Sequence, residues 1–106
     1  MQNIGGMLLA VCLLLPALSA CSAVTPHENF KNFLRNNLGK SVDDPSSDVA
    51  RYPQLLVGSQ VLPNGNIENQ YRWRGACRYF LEIDQQTRKI VGWRFEGSER
   101  DCEIVP

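Results

Sequence analysis

Cysteine is the residue type in this chain whose spacing most clearly indicates chemistry. Cys12 and Cys21 lie in or directly after an apolar N-terminal run, whereas Cys77 and Cys102 lie in the polar remainder. A thiol can be acylated, oxidised to a disulfide or used as a metal ligand. A structural zinc site needs four ligands, and the single histidine, His27, is distant in sequence from the later cysteines. We therefore predict no metal site and no cofactor.

The first twenty residues are typical of an export signal. Residues 7–18 are almost wholly apolar, which suits a signal peptide and falls short of the roughly 20 residues of a transmembrane helix. They lead into Leu18-Ser19-Ala20-Cys21, which resembles a bacterial lipobox, a motif whose cysteine is acylated and becomes the N-terminus after cleavage. We predict a signal peptide over residues 1–20, a lipidated Cys21 and a tether over residues 21–25.

Two details of this segment affect the prediction. Residues 1–6 contain no Lys or Arg, although signal peptides usually carry one or two there, so a plain signal peptide with an incidental cysteine stays open. Ser22 follows the cysteine, and by resemblance to proteobacterial lipoproteins this favours the outer membrane, with the domain facing the periplasm. Acyl chains would anchor the chain firmly, since each buried CH₂ contributes about 0.8 kcal/mol.

Cys77 and Cys102 are the two cysteines that remain in an exported domain. Export delivers the chain to an oxidising compartment, where disulfides form and persist. A bridge between them would close a loop of about 25 residues and, in the chain-entropy model, stabilise the domain by roughly 3.5 kcal/mol. We predict a structural disulfide between Cys77 and Cys102.

Charge is balanced and is absent from the N-terminal quarter of the chain. The 11 basic and 11 acidic residues all follow His27, and the net charge is zero. This argues against bulk electrostatic binding to nucleic acid or acidic lipid. The sequence also has no histidine beside a nucleophile, no glycine-rich phosphate loop and no metal-spaced ligand set. We predict that the protein is not an enzyme.

One helix is predicted over residues 26–38. Thr25 suits its cap and Pro26 its first position, Glu28 completes a capping box, and Gly39 should end it. Its apolar stripe consists of Phe30, Phe33, Leu34 and Leu38. His27, in the first turn, is predicted to be exposed.

Residues 40–53 are predicted to form a polar loop with short helical turns, one of them over residues 46–51, because Pro45 interrupts any longer helix. A strand segment rich in Leu and Val follows at residues 55–62, and alternating segments follow at residues 67–74, 77–83 and 90–96. Asn64-Gly65 predicts a two-residue type I′ turn between the first two.

These elements predict an α+β fold, with residues 26–106 as a single small domain. The expected architecture is a two-layer sandwich, with the N-terminal amphipathic helix packed on a three- to four-stranded antiparallel sheet. The helix should cover the face that carries Tyr71, Trp73, Leu81, Trp93 and Phe95. Alternation in the last strand places Val91 on this inner face and Ile90 on the outer one.

Arginine marks the other face of the predicted sheet, where Arg72, Arg74, Arg78 and Arg94 are interleaved with Glu68, Glu82 and Glu96. One interpretation is a solvated face with cross-strand Arg–Glu pairs, each contributing at most about 1 kcal/mol. The other is a protein-docking surface, since the chain has eight Arg and three Lys, and Arg beside aromatic residues is typical of interface hot spots. Residues 71–74 could also stack on single-stranded nucleic acid, but the zero net charge disfavours that partner.

The order of several motifs resembles a known family. The motifs are Leu38-Gly39-Lys40-Ser41, Leu62-Pro63-Asn64-Gly65-Asn66 before a Tyr-bearing strand, Cys77 before Phe80-Leu81-Glu82-Ile83-Asp84, and Ile90-Val91-Gly92-Trp93 with Gly97 before Cys102. With the lipobox, this order is similar to small proteobacterial lipoproteins of the BamE (SmpA/OmlA)-like group over most of residues 26–102. The resemblance implies a helix packed on an antiparallel sheet and an accessory role in outer-membrane β-barrel assembly.

Three functions are compatible with the sequence. The first is an outer-membrane-anchored lipoprotein that acts as a non-catalytic protein-binding or structural module for envelope proteins. The second is a periplasmic enzyme inhibitor of the lysozyme-inhibitor type, which should present an acidic surface to a basic cleft; here acidic and basic residues alternate over residues 94–103. The third is a structural protein that contacts lipid or peptidoglycan through an exposed aromatic pair near the tether.

Overall fold

The computed structural model of the chain describes residues 24–105. The predicted signal peptide over residues 1–20 and the predicted lipidation site Cys21 lie outside the described residues. Within the described range the helices are α1 (Pro26–Asn36) and α2 (Asp48–Arg51), followed by a 3₁₀ turn (Pro53–Leu55). The strands are β1 (Leu56–Val61), β2 (Ile67–Arg72), β3 (Arg78–Ile83) and β4 (Ile90–Glu96). They form one antiparallel sheet in the order β1-β2-β3-β4, so the predicted α+β class is confirmed.

Helix α1 begins as predicted and ends two residues early. The side-chain oxygen of Thr25 accepts a hydrogen bond of 3.0 Å from the backbone N–H of Glu28, and Pro26 occupies the first turn. At the other end, the side-chain amide of the buried Asn37 donates to the carbonyl of Phe33 at 2.8 Å. In a longer helix this carbonyl would instead accept from the backbone N–H of Asn37, so the side chain takes the place of a helical hydrogen bond. Leu38 therefore lies beyond the helix and is 42% exposed, so its predicted place in the apolar stripe is wrong.

The segment between α1 and β1 forms the short helical turns that the sequence predicts. Helix α2 is a single turn, whose cap is Ser47: its side-chain oxygen accepts a 3.3 Å hydrogen bond from the backbone N–H of Ala50. Val49 from this turn is buried in the core. A polar segment thus contributes one apolar side chain to the interior.

The turn between β1 and β2 differs from the predicted type I′ turn. The N–H of Gly65 donates to the carbonyl of Leu62 at 2.9 Å, so Pro63 and Asn64 are the central residues of the turn. Gly65 follows them with φ of 88°, and Asn64 lacks the positive φ that a type I′ turn requires. The result is a three-residue loop, a type I turn followed by a left-handed glycine. Pro63 explains the difference, since its fixed φ favours the second position of a type I turn.

The core lies between α1 and the inner face of the sheet. Its buried members are Phe30, Leu34, Val49, Tyr71, Cys77, Tyr79, Leu81, Ile83, Ile90 and Cys102, with Trp73, Trp93 and Phe95 partly buried against them. The ring of Phe30 lies edge-on to those of Tyr79 and Phe95, with centroids 6.2 and 5.8 Å apart. The predicted inner-face residues Tyr71, Trp73, Leu81, Trp93 and Phe95 are therefore found in or against this core.

Strand β4 departs from simple alternation at its first residues. Ile83 pairs with Ile90 while Glu82 pairs with Gly92, so Val91 is an extra residue in β4. This bulge reverses the prediction for the two residues, because Ile90 is fully buried and Val91 is 51% exposed.

The predicted disulfide between Cys77 and Cys102 is present, with a Cα–Cα distance of 5.4 Å. It holds the C-terminal segment against the start of α1, where the N–H of Ile104 donates to the carbonyl of Pro26 at 2.9 Å. His27 is consequently half-buried, with Nδ1 2.7 Å from the carbonyl oxygen of Cys102 and its ring edge-on to that of Phe95. The prediction that His27 is exposed is wrong, because the residues that cover it lie about 75 positions away in sequence.

Candidate protein-binding surface

The outer face is the surface of the sheet opposite α1. Strand register places Gly58, Gln70, Phe80 and Arg94 side by side across the four strands. Directly paired residues of neighbouring strands face the same side of the sheet, so the side chains of Gln70, Phe80 and Arg94 share the outer face with the bare backbone of Gly58. Phe80, the aromatic residue of this row, is 6% exposed although it is not in the core cluster. Something on the outer face must therefore cover it.

Arg94 covers the ring of Phe80 and binds two carboxylates. Its guanidinium carbon lies 3.6 Å from the ring centroid. Nη2 and Nε donate to the two carboxylate oxygens of Glu68 at 2.8 and 3.0 Å, and Nη1 donates to Glu96 at 3.0 Å. Glu68 lies on β2, so the side chain of Arg94 crosses β3 to reach it. The aromatic ring and the bidentate contact hold the guanidinium plane in one orientation.

This arrangement changes the ionisation of both partners. The hydrogen bond from Arg94 lowers the pKa of Glu68, and this outweighs the opposing effect of burial, which would raise it. Glu68 in turn raises the pKa of Arg94. Both groups are therefore charged at neutral pH, and the carboxylate of Glu68 also accepts a 3.0 Å hydrogen bond from the side-chain amide of Gln60.

A cleft of about 220 Å³ opens beside Phe80 on the outer face. It is lined by Gly58, Ser59, Gln60, Glu68, Gln70 and Phe80. The cleft exists because Gly58 has no side chain, and a Cβ atom at this position would meet no other atom within 4 Å. Its aromatic wall, two amides and one carboxylate could accommodate an apolar side chain with a polar end.

The other predicted arginines lie in three different settings. Arg72 is exposed at the end of β2 and pairs in register with Arg78, whose Nη1 donates to the carbonyls of Gly75 and Cys77 at 3.1 and 2.8 Å. Arg74 lies beyond the end of β2, where Nη2 contacts a carboxylate oxygen of Glu103 at 2.7 Å. The structure thus places Arg72, Arg78 and Arg94 on the same face of the sheet and Arg74 against the C-terminal segment.

Sequence reasoning did not identify the cluster of Arg94, Phe80 and Glu68, nor the cleft beside it. Direct cross-strand partners were expected to form the Arg–Glu pairs, but Glu68 pairs in register with Glu82 and meets Arg94 from two strands away. A signal was present in the sequence: Phe80 is an aromatic residue in an alternating row of charged residues. An apolar ring on a polar face requires a cover.

Neither a metal site nor a membrane-spanning helix is found in the part of the chain that the structure describes. No three His, Cys, Asp or Glu side chains within residues 24–105 are placed to hold a metal ion. No helix in that range is long and apolar enough to cross a membrane. Comparisons of the chain with protein-family models, curated proteins and solved structures found no match. The likeness to the BamE-like group therefore stays a prediction from the motifs.

Glu68→Gln is expected to lower the free energy of unfolding by about 1–2 kcal/mol at pH 7, because it weakens charge-assisted hydrogen bonds to a half-exposed arginine. The folded-state pKa of Glu68 lies below its ordinary value of 4.5. The contribution of ionised Glu68 to the free energy of unfolding is therefore complete above pH 4.5. It is lost as the pH falls through the lower pKa of the folded state. Urea unfolding of both proteins at pH 7 and at about pH 3 measures the difference.

The matched control for this prediction is Glu99→Gln, which removes an exposed carboxylate from the loop after β4. It should change stability by less than about 0.5 kcal/mol at either pH. The interpretation of the cluster is wrong if the Glu68 variant shows the same loss at both pH values, since an uncharged contact would then account for it.

Proposed function

We propose that the protein is an outer-membrane-anchored lipoprotein whose domain faces the periplasm as a non-catalytic protein-binding module of the cell envelope. In this proposal Cys21 carries the lipid, the following residues are a tether, and the helix and sheet form a two-layer domain. The lipobox-like residues 18–21 support the anchor. The Cys77–Cys102 disulfide supports an oxidising compartment, because such bridges are rare in the cytosol.

The observation that carries the binding function is the ordered Arg94 on Phe80 beside an open cleft. Most surface arginines lose side-chain entropy when a partner orders them, and this loss weakens binding. Arg94 is already held by Glu68 and the ring, so a partner that contacts its exposed edge avoids much of that loss. Arginine and aromatic residues around a desolvated pocket are also the composition of interface hot spots.

The chemistry of the outer face indicates what a partner should present. An apolar side chain would enter the cleft against Phe80, and a carboxylate would lie near Arg72 and Arg78, which the register places opposite each other. Two like charges on paired positions repel, and a partner carboxylate relieves that repulsion. Because the motif order resembles the BamE-like group, the β-barrel assembly machinery of the outer membrane is the first partner to test.

The test is crosslinking and affinity capture of the tagged full chain from its native envelope, with mass spectrometry of the captured proteins and of Cys21. The surface variant combines Arg72→Ala with Gly58→Leu, which fills the cleft at a position where a side chain meets open space. The matched control is Arg51→Ala, an exposed arginine in α2. Recovery of the partner should fall about tenfold or more for the surface variant, because two hot-spot contacts exceed 1.4 kcal/mol.

Each outcome of this experiment discriminates between the functions. A wild-type chain that captures barrel-assembly proteins, with an acylated Cys21, supports the proposal. Equal recovery by the wild type and the surface variant removes the outer face from consideration. Capture of a peptidoglycan hydrolase supports the inhibitor function instead, and an unmodified Cys21 contradicts the lipid anchor.

A further inference from the structure

We infer that strand β1 is an interface at which two copies of this chain pair edge to edge, joining two four-stranded sheets into one. β1 lies at one edge of the sheet, and its sequence, LVGSQV, contains no charged residue and no proline. Its apolar side chains are open to solvent, with Leu56 42%, Val57 49% and Val61 75% exposed. An exposed, uncharged and apolar edge strand is a template for pairing with another strand.

The opposite edge of the sheet carries two protections that β1 lacks. At the start of β4, the carbonyl of Ile90 accepts a 2.8 Å hydrogen bond from Gly39 N–H, and the N–H of Ile90 donates to the carbonyl of Lys40 at 2.9 Å, so another part of the chain covers this edge. The charged residues Arg94 and Glu96 follow on β4. A covering segment and charged side chains both block edge-to-edge association. The contrast between the two edges points to β1.

The hydrogen-bonding phase of β1 determines which of its backbone groups are available. Leu62 N–H donates to the carbonyl of Asn66 at 2.8 Å, and bonded and unbonded pairs alternate along an antiparallel ladder. Gln60 and Gly58 are therefore bonded to β2, whereas Ser59 and Val61 direct their N–H and C=O groups away from it. The regular part of β1 is limited to these positions, because a bulge between Leu56 and Gly58 interrupts the strand before them.

When two β1 strands pair about a two-fold axis through Gln60, all of these outward N–H and C=O groups are hydrogen-bonded. Ser59 of each copy then lies opposite Val61 of the other, and the two pairs form four backbone hydrogen bonds. Gly58 of each copy lies opposite Leu62 of the other, so a leucine side chain approaches the open space beside the glycine. The two Gln60 side chains become neighbours on the outer face.

A second copy of the chain suits this edge because the outward groups of Ser59 and Val61 pair with the same groups of an identical strand, and charge does not oppose this pairing. The protein has zero net charge, so two copies do not repel each other at long range. The charged residue next to the edge, Glu68, is neutralised within its own copy by Arg94 at 2.8 Å. A single pair of strands covers less than the roughly 1,600 Å² of a standard interface, so the association is weak and depends on local concentration.

Cysteine crosslinking of the full chain tests this pairing. In the proposed register the Gln60 Cα atoms of two copies lie about 4.5 Å apart, as in an unbonded antiparallel pair, and this distance permits a disulfide. Gln60→Cys should therefore give a covalent dimer on mild oxidation, detected on a non-reducing gel. Val61→Cys is the matched control. In the proposed register the Val61 Cα atoms of the two copies are offset by two residues and lie more than about 7 Å apart, which is too far for a disulfide. A mixture of Val61→Cys and Ser59→Cys chains should form the mixed dimer.

A second variant separates edge pairing from chance collisions. Adding Ser59→Pro to the Gln60→Cys chain removes an outward N–H, and proline is tolerated at such positions of an edge strand. The dimer yield, corrected for the unsubstituted chain, should fall at least several-fold. The inference is wrong if Gln60→Cys stays monomeric, if Val61→Cys alone dimerises equally well, or if Ser59→Pro leaves the yield unchanged. None of these results depends on the envelope partner proposed above.

Discussion

Replacing Leu34 by alanine is expected to lower the free energy of unfolding by about 3 kcal/mol, within the 2–5 kcal/mol typical of buried leucines. Leu34 is fully buried in the core between α1 and the sheet. Truncation removes apolar contacts and leaves a cavity that the surrounding side chains fill only in part. Urea denaturation, monitored by the fluorescence of Trp73 and Trp93 at the edge of the core, measures the change.

Leu38→Ala is the matched control, since it removes the same atoms from a leucine that is 42% exposed and lies beyond α1. Its cost should stay below about 1 kcal/mol. Equal losses for the two variants would mean that the apolar stripe extends along the whole predicted helix, as the spacing alone suggests, and that α1 does not end at Asn36.

Removing the disulfide by combining Cys77→Ala with Cys102→Ala should lower the free energy of unfolding by roughly 3.5 kcal/mol, the chain-entropy value for a loop of about 25 residues. The two cysteines are separated by 25 positions and both are fully buried. A loss of this size is a large fraction of the stability of a small domain. Thermal or urea unfolding of the variant and of the oxidised parent gives the difference.

The effect of the missing disulfide should be largest at the C-terminal segment. The hydrogen bonds from His27 Nδ1 to the carbonyl of Cys102 and from Ile104 N–H to the carbonyl of Pro26 depend on the bridge that holds this segment in place. Hydrogen exchange of Ile104 should therefore accelerate more than that of β3. Uniform acceleration across the sheet would indicate that the bridge stabilises the domain only globally.

Features that depend on neighbouring residues along the chain could be predicted from the sequence. The start of α1 follows from Thr25 and Pro26, whose capping and fixed φ act within one turn. Strands β2, β3 and β4 follow from alternating polarity over six or seven residues, and β1 follows from its richness in Leu and Val before a turn. The disulfide could be predicted because the expected signal peptide and lipidated Cys21 would leave only Cys77 and Cys102 to pair.

Features that depend on contacts between distant segments could not be predicted in this way. The burial of Ile90 depends on a bulge, and a shift of one residue moves a side chain to the other face of the sheet. The burial of His27 depends on the C-terminal segment that the disulfide holds beside it. In each case a pattern within one segment gave an expectation that pairing or packing with another segment reversed.

The candidate site likewise has features that the sequence alone determines and features that depend on the tertiary structure. Its composition, arginines and glutamates on the outer face of an antiparallel sheet, is determined by the sequence alone through the two-residue period of a strand. The pairing of Arg94 with Glu68 over Phe80, the cleft beside Gly58 and the unprotected edge of β1 were decided by the tertiary structure. The reason is that strand order and register determine which side chains become neighbours, and both arise from packing of the whole sheet rather than from any one strand.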